Sequence, residues 1–287
     1  MQQTHPLPFL PDGLRLAWRD GARACRRKSL ACASVRTAWL AAEIAFASCR
    51  WVWLRACANG APNSHARATW LSRSARRAGR LLGMELQVTG PVPRSGLLVC
   101  NHLSYLDVIA LAALTPAVFV AKREVRSWPV FGALARMAGT LFIHREMRSD
   151  TARLAPELAR LLDAGALVVL FPEGTSSDGR EVLPFRSSLL EAAVWRGTAV
   201  HTAYLEYELD GGDPGAEACF WGTMTLVPHL LNLLGKARVR AKVVFNEMPV
   251  RSADRKELAR AAHNEVVRLR DRLARCDKPH PAHEEAV

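Results

Sequence analysis

The chain has no C-x-x-C pair and no clustered cysteine and histidine residues. Its seven cysteines, Cys25, Cys32, Cys49, Cys57, Cys100, Cys219 and Cys276, are scattered. That spacing excludes a zinc ribbon or a redox dithiol, and no metal is expected. An odd, scattered set reads as reduced thiols in a cytosol-facing protein rather than a disulfide framework. There is no G-x-S-x-G elbow, which removes the serine-hydrolase reading. No nucleic-acid-binding motif, internal repeat or low-complexity segment is present. The N-terminus carries Pro6, Pro8 and Pro11 and no compact apolar run before a small-residue cleavage site, so no signal peptide is expected.

What is present is length, apolar mass and positive charge. The 287 residues are 49% hydrophobic, enough for a sizeable core. The net charge is +12 and comes mostly from arginine. An arginine-rich surface suits phosphate-bearing or acidic partners: nucleic acid, anionic lipid or an acidic carrier protein.

Residues 1–28 are polar, Pro-containing and basic towards Arg23, Arg26, Arg27 and Lys28, and are expected to be loosely ordered. Residues 29–58 are largely apolar. A spanning helix wants about 20 uninterrupted apolar residues, and here Arg36, Glu43 and Arg50 interrupt the run. Their spacing of seven places all three on one narrow stripe of a helix. A helix in the bilayer interface, polar stripe outward and Trp51 and Trp53 as anchors, fits this pattern. A core helix with a charged edge and a tilted span are the alternatives. Residues 64–82 form a second helix, on which Arg73, Arg76, Arg77 and Arg80 share a face. The plain reading of that face is solvent exposure. Beside an apolar helix, attraction to anionic headgroups is the better one.

From residue 84 onward short apolar strands alternate with helices. Strands are expected over 84–89, 96–100, 117–121, 140–143, 166–171, 199–207, 218–224 and 237–246. Helices are expected over 106–114, 128–138, 150–164, 187–196, 226–234 and 252–274. The alternation argues for an α/β fold with a mixed, mostly buried sheet flanked by helices. The tail 276–287 is expected to be disordered.

Three segments at predicted strand ends carry chemistry. In NHLSYLD (101–107), Asn101 and His102 follow a buried strand, and Asp107 opens a helix with four residues between it and His102. The short loop lets the carboxylate meet the imidazole. Bonded to Nδ1–H, it would leave the other ring nitrogen free as a base. The plain alternative is a surface histidine and a helix-capping aspartate. In FPEGTSSDGR (171–180), a Gly-bearing turn offers N–H groups and the hydroxyls of Thr175, Ser176 and Ser177 to an anion, and Glu173 could hold a polar group or an arginine. In GTLFIHRE (139–146), His144 and Arg145 follow a strand, and Arg145 could grip phosphate or carboxylate bidentately. His201, in an apolar strand pattern, reads as a core or pocket residue. His229, after Pro228, reads as a capping residue.

The order NHxxxxD, GTxFIxR, FPEGT resembles the glycerophospholipid acyltransferase family, which contains 1-acylglycerol-3-phosphate acyltransferase. The resemblance covers roughly residues 65–250. It includes Lys122, Glu124, Trp128, Pro129 and Gly132, and Phe185 with Ser188. It implies His102 as general base and Asp107 as its orienter. It also implies Arg145, Glu173, Gly174 and Thr175 as binders of the acceptor headgroup, with Asn101, Lys122 and Ser176 in support. The donor would be acyl-CoA or acyl-carrier protein, with no cofactor and no metal. A membrane surface with anionic lipids and a lysolipid would be the partners, at the cytoplasmic face of a bacterial inner membrane.

Two departures stand out. The stretch GTAVHTAY (197–204) lacks the family's proline in this strand, and Ser176 stands where an arginine often follows FPEGT. The segment FWGTMTLVPHLLNLLG (220–235) resembles the bacterial branch with lyso-ornithine lipid acyltransferases. The expected reaction is therefore O-acyl transfer to a lysolipid, with 1-acylglycerol-3-phosphate as default acceptor and lyso-ornithine lipid as alternative. A non-catalytic anionic-lipid binder is the alternative of another class. The expected organisation is a basic N-terminus (1–28), membrane-interface helices (29–82), an acyltransferase domain (83–275) and a tail (276–287).

Overall fold

The computed structural model describes residues 14–16, 30–58, 60–143, 148–191, 194, 198–248 and 254–276. Eight strands form one sheet: β1 (Leu14–Leu16), β2 (Met84–Thr89), β3 (Gly96–Cys100), β4 (Val118–Lys122), β5 (Leu141–Ile143), β6 (Leu167–Leu170), β7 (Val200–Leu209) and β8 (Val239–Glu247). Their order is β1-β2-β8-β7-β3-β6-β4-β5. From β7 to β5 all neighbours are parallel, whereas β8 runs antiparallel to β7. The sheet is thus mixed, as the sequence predicts.

Strand burial explains the apolar runs. On β3, Leu98 and Cys100 enter one core while Leu97 and Val99 enter the other. On β6, Val169 joins the first core and Val168 and Leu170 the second. Such strands read as continuous apolar runs because both faces are covered. Helices α2 (Ser64–Leu81), α3 (Leu106–Leu114) and α7 (Leu226–Leu234) cover the first face. Helices α5 (Arg148–Asp163) and α8 (Arg255–Cys276) cover the second. The remaining helices are α1 (Leu30–Cys57), α4 (Phe131–Ala138) and the one-turn α6 (Pro214–Glu217).

Several expectations change. Leu14–Leu16, inside the N-terminus read as loose, pairs antiparallel with β2 and closes that edge of the sheet. Residues 218–224 form no strand. Gly222 there takes a left-handed φ of +62°, and the Phe220 N–H donates to Leu103 O (2.8 Å) instead of a ladder. The helix expected from residue 128 starts at Phe131, because Pro129 lacks an N–H and Trp128 before it is extended. A short 3₁₀ helix, Arg123–Ser127, precedes it. A 3₁₀ turn, Ser187–Leu190, likewise opens the segment read as helix 187–196, part of which lies outside the described residues.

The polar stripe of α1 turns inward rather than outward. Glu43 is buried and takes the Arg77 Nε of α2 on both oxygens at 2.6 Å. Arg36 donates to the carbonyls of Leu234, the last residue of α7, and of Lys236 just beyond it. The two expected anchors also part company. Trp51 is buried edge-on against Trp70, with ring centres 5.4 Å apart, and Trp53 is 69% exposed. The arginine face of α2 is partly engaged as well, since Arg76 Nε donates to Ala113 O (2.7 Å) at the end of α3. No described helix is long and apolar enough to cross a membrane.

Candidate active site

Strand β3 aims the first segment. Gly96 opens it at φ +88°, where a Cβ would lie 2.6 Å from Ala199 O, so only glycine fits. After Cys100 the ladder to β7 continues through a side chain. The buried Asn101 amide donates to Leu205 O (2.9 Å) and accepts from Leu205 N (2.8 Å). This pair of hydrogen bonds fixes where the chain leaves the sheet, and His102 follows at once.

Asp107 sits in the first turn of α3 and is wholly buried. Its Oδ2 lies 2.7 Å from His102 Nδ1 and accepts the N–H groups of Leu103 (2.7 Å) and Ser104 (3.0 Å). Its Oδ1 accepts the Tyr207 hydroxyl at 2.6 Å. A carboxylate only accepts, so His102 carries its proton on Nδ1 and keeps the Nε2 lone pair free. The aspartate is therefore no surface helix cap. It holds the loop's backbone and the imidazole at once.

The second segment holds the other side of the histidine. Its ring stacks on Phe171, with centres 4.2 Å apart. Its N–H donates to Glu173 Oε2 (3.2 Å), and its carbonyl accepts from Ser177 N (3.0 Å). The other Glu173 oxygen accepts from Leu183 N (3.2 Å). Burial, with the Asp107 charge adding to it, pushes the Glu173 carboxyl up to about 8, and those two N–H bonds partly offset the rise. Glu173 is buried beneath the loop as a bracket, its oxygens occupied by backbone. Gly174 follows with φ +79°, and the Arg186 guanidinium lies across it: a Cβ there would stand 2.8 Å from Arg186 Nε. Sequence reading overlooked Arg186, whose only signal is a basic residue next to Phe185. Thr175 is exposed at the turn. Ser176 donates its hydroxyl to Phe220 O (2.5 Å) and so ties the turn to the loop after α6.

His102, Lys122, Thr175 and Ser176 line one cavity of about 440 Å³, whose other walls are largely apolar side chains of α1, α2, α3, α4 and α7. Lys122 ends β4 at the same sheet edge. Arg145 lies outside the described residues, two positions beyond the end of β5. Among the described residues, no group of histidine, cysteine and acidic side chains could hold a metal. Burial holds Cys100 well above the usual thiol range and pushes Cys219 up to about 12, so neither offers a thiolate.

His229 is a tie between helices rather than a cap. Its Nε2 lies 3.0 Å from Cys219 O, and a carbonyl only accepts, so that nitrogen carries the proton. Its Nδ1 then accepts the Tyr105 hydroxyl (3.0 Å), linking α7 to the loop before α3. Burial lowers its proton affinity, which keeps it neutral. His201 is a half-buried residue of β7, as its apolar setting suggests.

A histidine held by a buried aspartate thus stands at the carboxyl ends of the sheet's parallel strands and opens on an apolar cavity. Residues 85–206 match the acyltransferase family model. The fold is also that of the 1-acyl-sn-glycerophosphate acyltransferase PlsC from Thermotoga maritima. The TM-score is 0.55 at 21% identity, covering 85% of this chain and 96% of that one. Those two findings give the fold and a family match over part of the chain. A lyso-ornithine lipid O-acyltransferase from Rhizobium meliloti is 36% identical over 237 residues, 74% of this chain and 81% of that protein. A 1-acyl-sn-glycerol-3-phosphate acyltransferase from Neisseria gonorrhoeae is 33% identical over 183 residues, 60% of this chain and 72% of that protein. The chain belongs to the glycerophospholipid acyltransferase family.

Proposed function

We propose that this acyltransferase moves a fatty acyl group from a thioester, acyl-CoA or acyl-carrier protein, to the hydroxyl of a lysolipid. The observation that carries the reading is the His102 imidazole, with Nδ1 held by buried Asp107 and Nε2 left free beside an apolar cavity. Nε2 takes the proton of the acceptor hydroxyl as its oxygen attacks the thioester carbonyl. The tetrahedral intermediate collapses with cleavage of the C–S bond. The imidazolium then returns the proton to the departing sulfur. Asp107 steadies the positive ring between the two transfers. No acyl-enzyme and no metal enters this sequence.

The acceptor we favour is lyso-ornithine lipid. The Rhizobium meliloti relative of that name matches more of this chain, at higher identity, than the lysophosphatidate-type relative does. Ser176 stands where a headgroup cation would serve a phosphomonoester, and its hydroxyl is bonded to Phe220 O. Lys122, Thr175 and the turn at Gly174 face the headgroup carboxylate in this reading, with Arg145 as a further cation. Glu173 and Asn101 act behind them, on the backbone.

Membrane docking completes the proposal. Val35, Trp39, Phe46 and Trp53 of α1 are exposed and recur on one helical face. Val227 and Leu231 of α7 are exposed as well. Laid on a leaflet, these side chains would put the cavity where a lysolipid is found, with arginines meeting anionic headgroups. The helices α1 and α2 then serve lipid contact, and the α/β domain the chemistry, at the cytoplasmic face where acyl thioesters are made.

The test is an acceptor panel with labelled acyl-CoA and acyl-carrier protein, read by product mass. Acylation of lyso-ornithine lipid is expected. Turnover of lysophosphatidate alone would overturn the acceptor, and no thioester consumption with any acceptor would overturn the activity.

A further inference from the structure

The His102–Asp107 pair has a third member that no motif marks. Strand β7 lies beside β3, and Asn101 prolongs that pairing to Leu205. Alternate residues of a strand share a face, so Tyr207 follows Ala203 and Leu205 onto the core side that holds α3. There its hydroxyl donates to Asp107 Oδ1 at 2.6 Å, a short charge-assisted bond between two buried side chains. The division between the carboxylate oxygens is sharp. Oδ2 receives His102 and two backbone N–H groups, and Oδ1 receives Tyr207 as its one donor among the described residues.

We propose that Tyr207 is a positioning residue of the acyl transfer. Its bond to Oδ1 turns the carboxylate so that Oδ2 meets His102 Nδ1, and it sets how strongly that oxygen attracts the imidazolium. This rests on the reading of His102 as the base.

The physical argument has two parts. A carboxylate rotates about its bond to Cβ unless both oxygens are held, and Tyr207 is what holds the second one. Each donor also draws negative charge from the carboxylate. With Tyr207 in place, Asp107 orients the ring without over-stabilising its protonated form. Without it, Oδ2 becomes the stronger partner, and the imidazole gains its proton more readily. The free base is then lost at a higher pH. Burial, with the Asp107 charge adding, holds the Tyr207 phenol well above its usual range, so it remains a donor throughout any assay.

Other titratable groups face this chain. Cys100 on β3 and Cys219 in the loop after α6 stay protonated through burial. Glu173 brackets the His102 backbone, and Lys122 shares its cavity. None of the four is altered in a Tyr207 variant, so each is present in every curve compared.

The experiment measures kcat and kcat/KM against pH for the purified full-length protein on vesicles with the lysolipid acceptor that the wild type turns over. Wild type is compared with Tyr207→Phe, with 3-fluorotyrosine placed at 207, and with His102→Ala. Loss of the hydroxyl should lower kcat about 10–100-fold with the acceptor KM unchanged. It should also move the acid limb to higher pH. Fluorotyrosine, a stronger donor of nearly the same volume, should move the limb to lower pH. Acid limbs that coincide with wild type in both variants would overturn the proposal, even if the rates fall, because a purely structural role moves rate and not the limb. Should Tyr207→Phe fail to fold, the fluorotyrosine curve decides alone. His102→Ala separates the two claims. If it keeps the wild-type rate, the base assignment beneath has failed. If it is inactive and the limbs stay in place, only the role of Tyr207 has.

Discussion

Asp107 is completely buried, and a buried carboxylate is tolerable only when donors surround it. Four donors do so here, one of which is the histidine it orients. Glu173, the second buried carboxyl nearby, has its proton affinity raised by burial. Its folded value of about 8 lies above the ordinary 4.5. Between those two values the folded state holds more protons than the unfolded state, so stability should fall as pH rises from about 4.5 to 8 and flatten beyond. Glu173→Gln keeps an acceptor on the backbone and should remove most of that slope in a series of thermal melts. An unchanged slope in the variant would show that the linkage lies elsewhere. The residue scale is also where sequence reading divides most clearly. His102 and Asp107 are legible because a four-residue loop after a buried strand brings them together locally. Tyr207 and Arg186 are not, since their approach to Asp107 and Gly174 depends on strand order and turn geometry across the fold.

At the scale of elements, the buried strands were the easiest to read, because apolar runs bounded by turns leave few alternatives. The exception is instructive. Residues 218–224 have a strand's composition, but Gly222 turns left-handed and the sheet already ends in β1 and β5. The apolar side chains there serve a loop that packs over the cavity, where Phe220 meets Tyr105 and Trp128 edge-on. Helix α1 shows a second limit. Its heptad-spaced charges are plain in the sequence, but a stripe has no sign: it can face water or a partner helix. Here Arg77 and the carbonyls at the end of α7 claim it, which leaves Trp39 and Trp53 outside. Replacing both with serine should lower affinity for anionic vesicles at least about tenfold in flotation assays, while leaving the melting temperature close to wild type. Equal flotation of the variant would remove α1 as the docking surface.

For the whole molecule, the sheet's parallel half places five strand ends on one edge, and the helical layer of α1, α2 and α7 adds an apolar cavity beside it. The arrangement pairs polar side chains, His102, Lys122, Thr175 and Ser176, with an apolar interior, the two chemistries of a lysolipid and an acyl chain. Membership of the glycerophospholipid acyltransferase family agrees with that division. The central claim is that His102 is the base of a thioester-consuming acyl transfer. Its most direct test is the rate of diacyl product formation by purified His102→Ala and wild type on the same vesicles, with vesicle binding measured in parallel. The account predicts normal binding and a rate loss of at least about 10²–10⁴-fold in the variant. A variant that transfers acyl groups at the wild-type rate, or a wild type that binds vesicles and consumes no thioester, would contradict it.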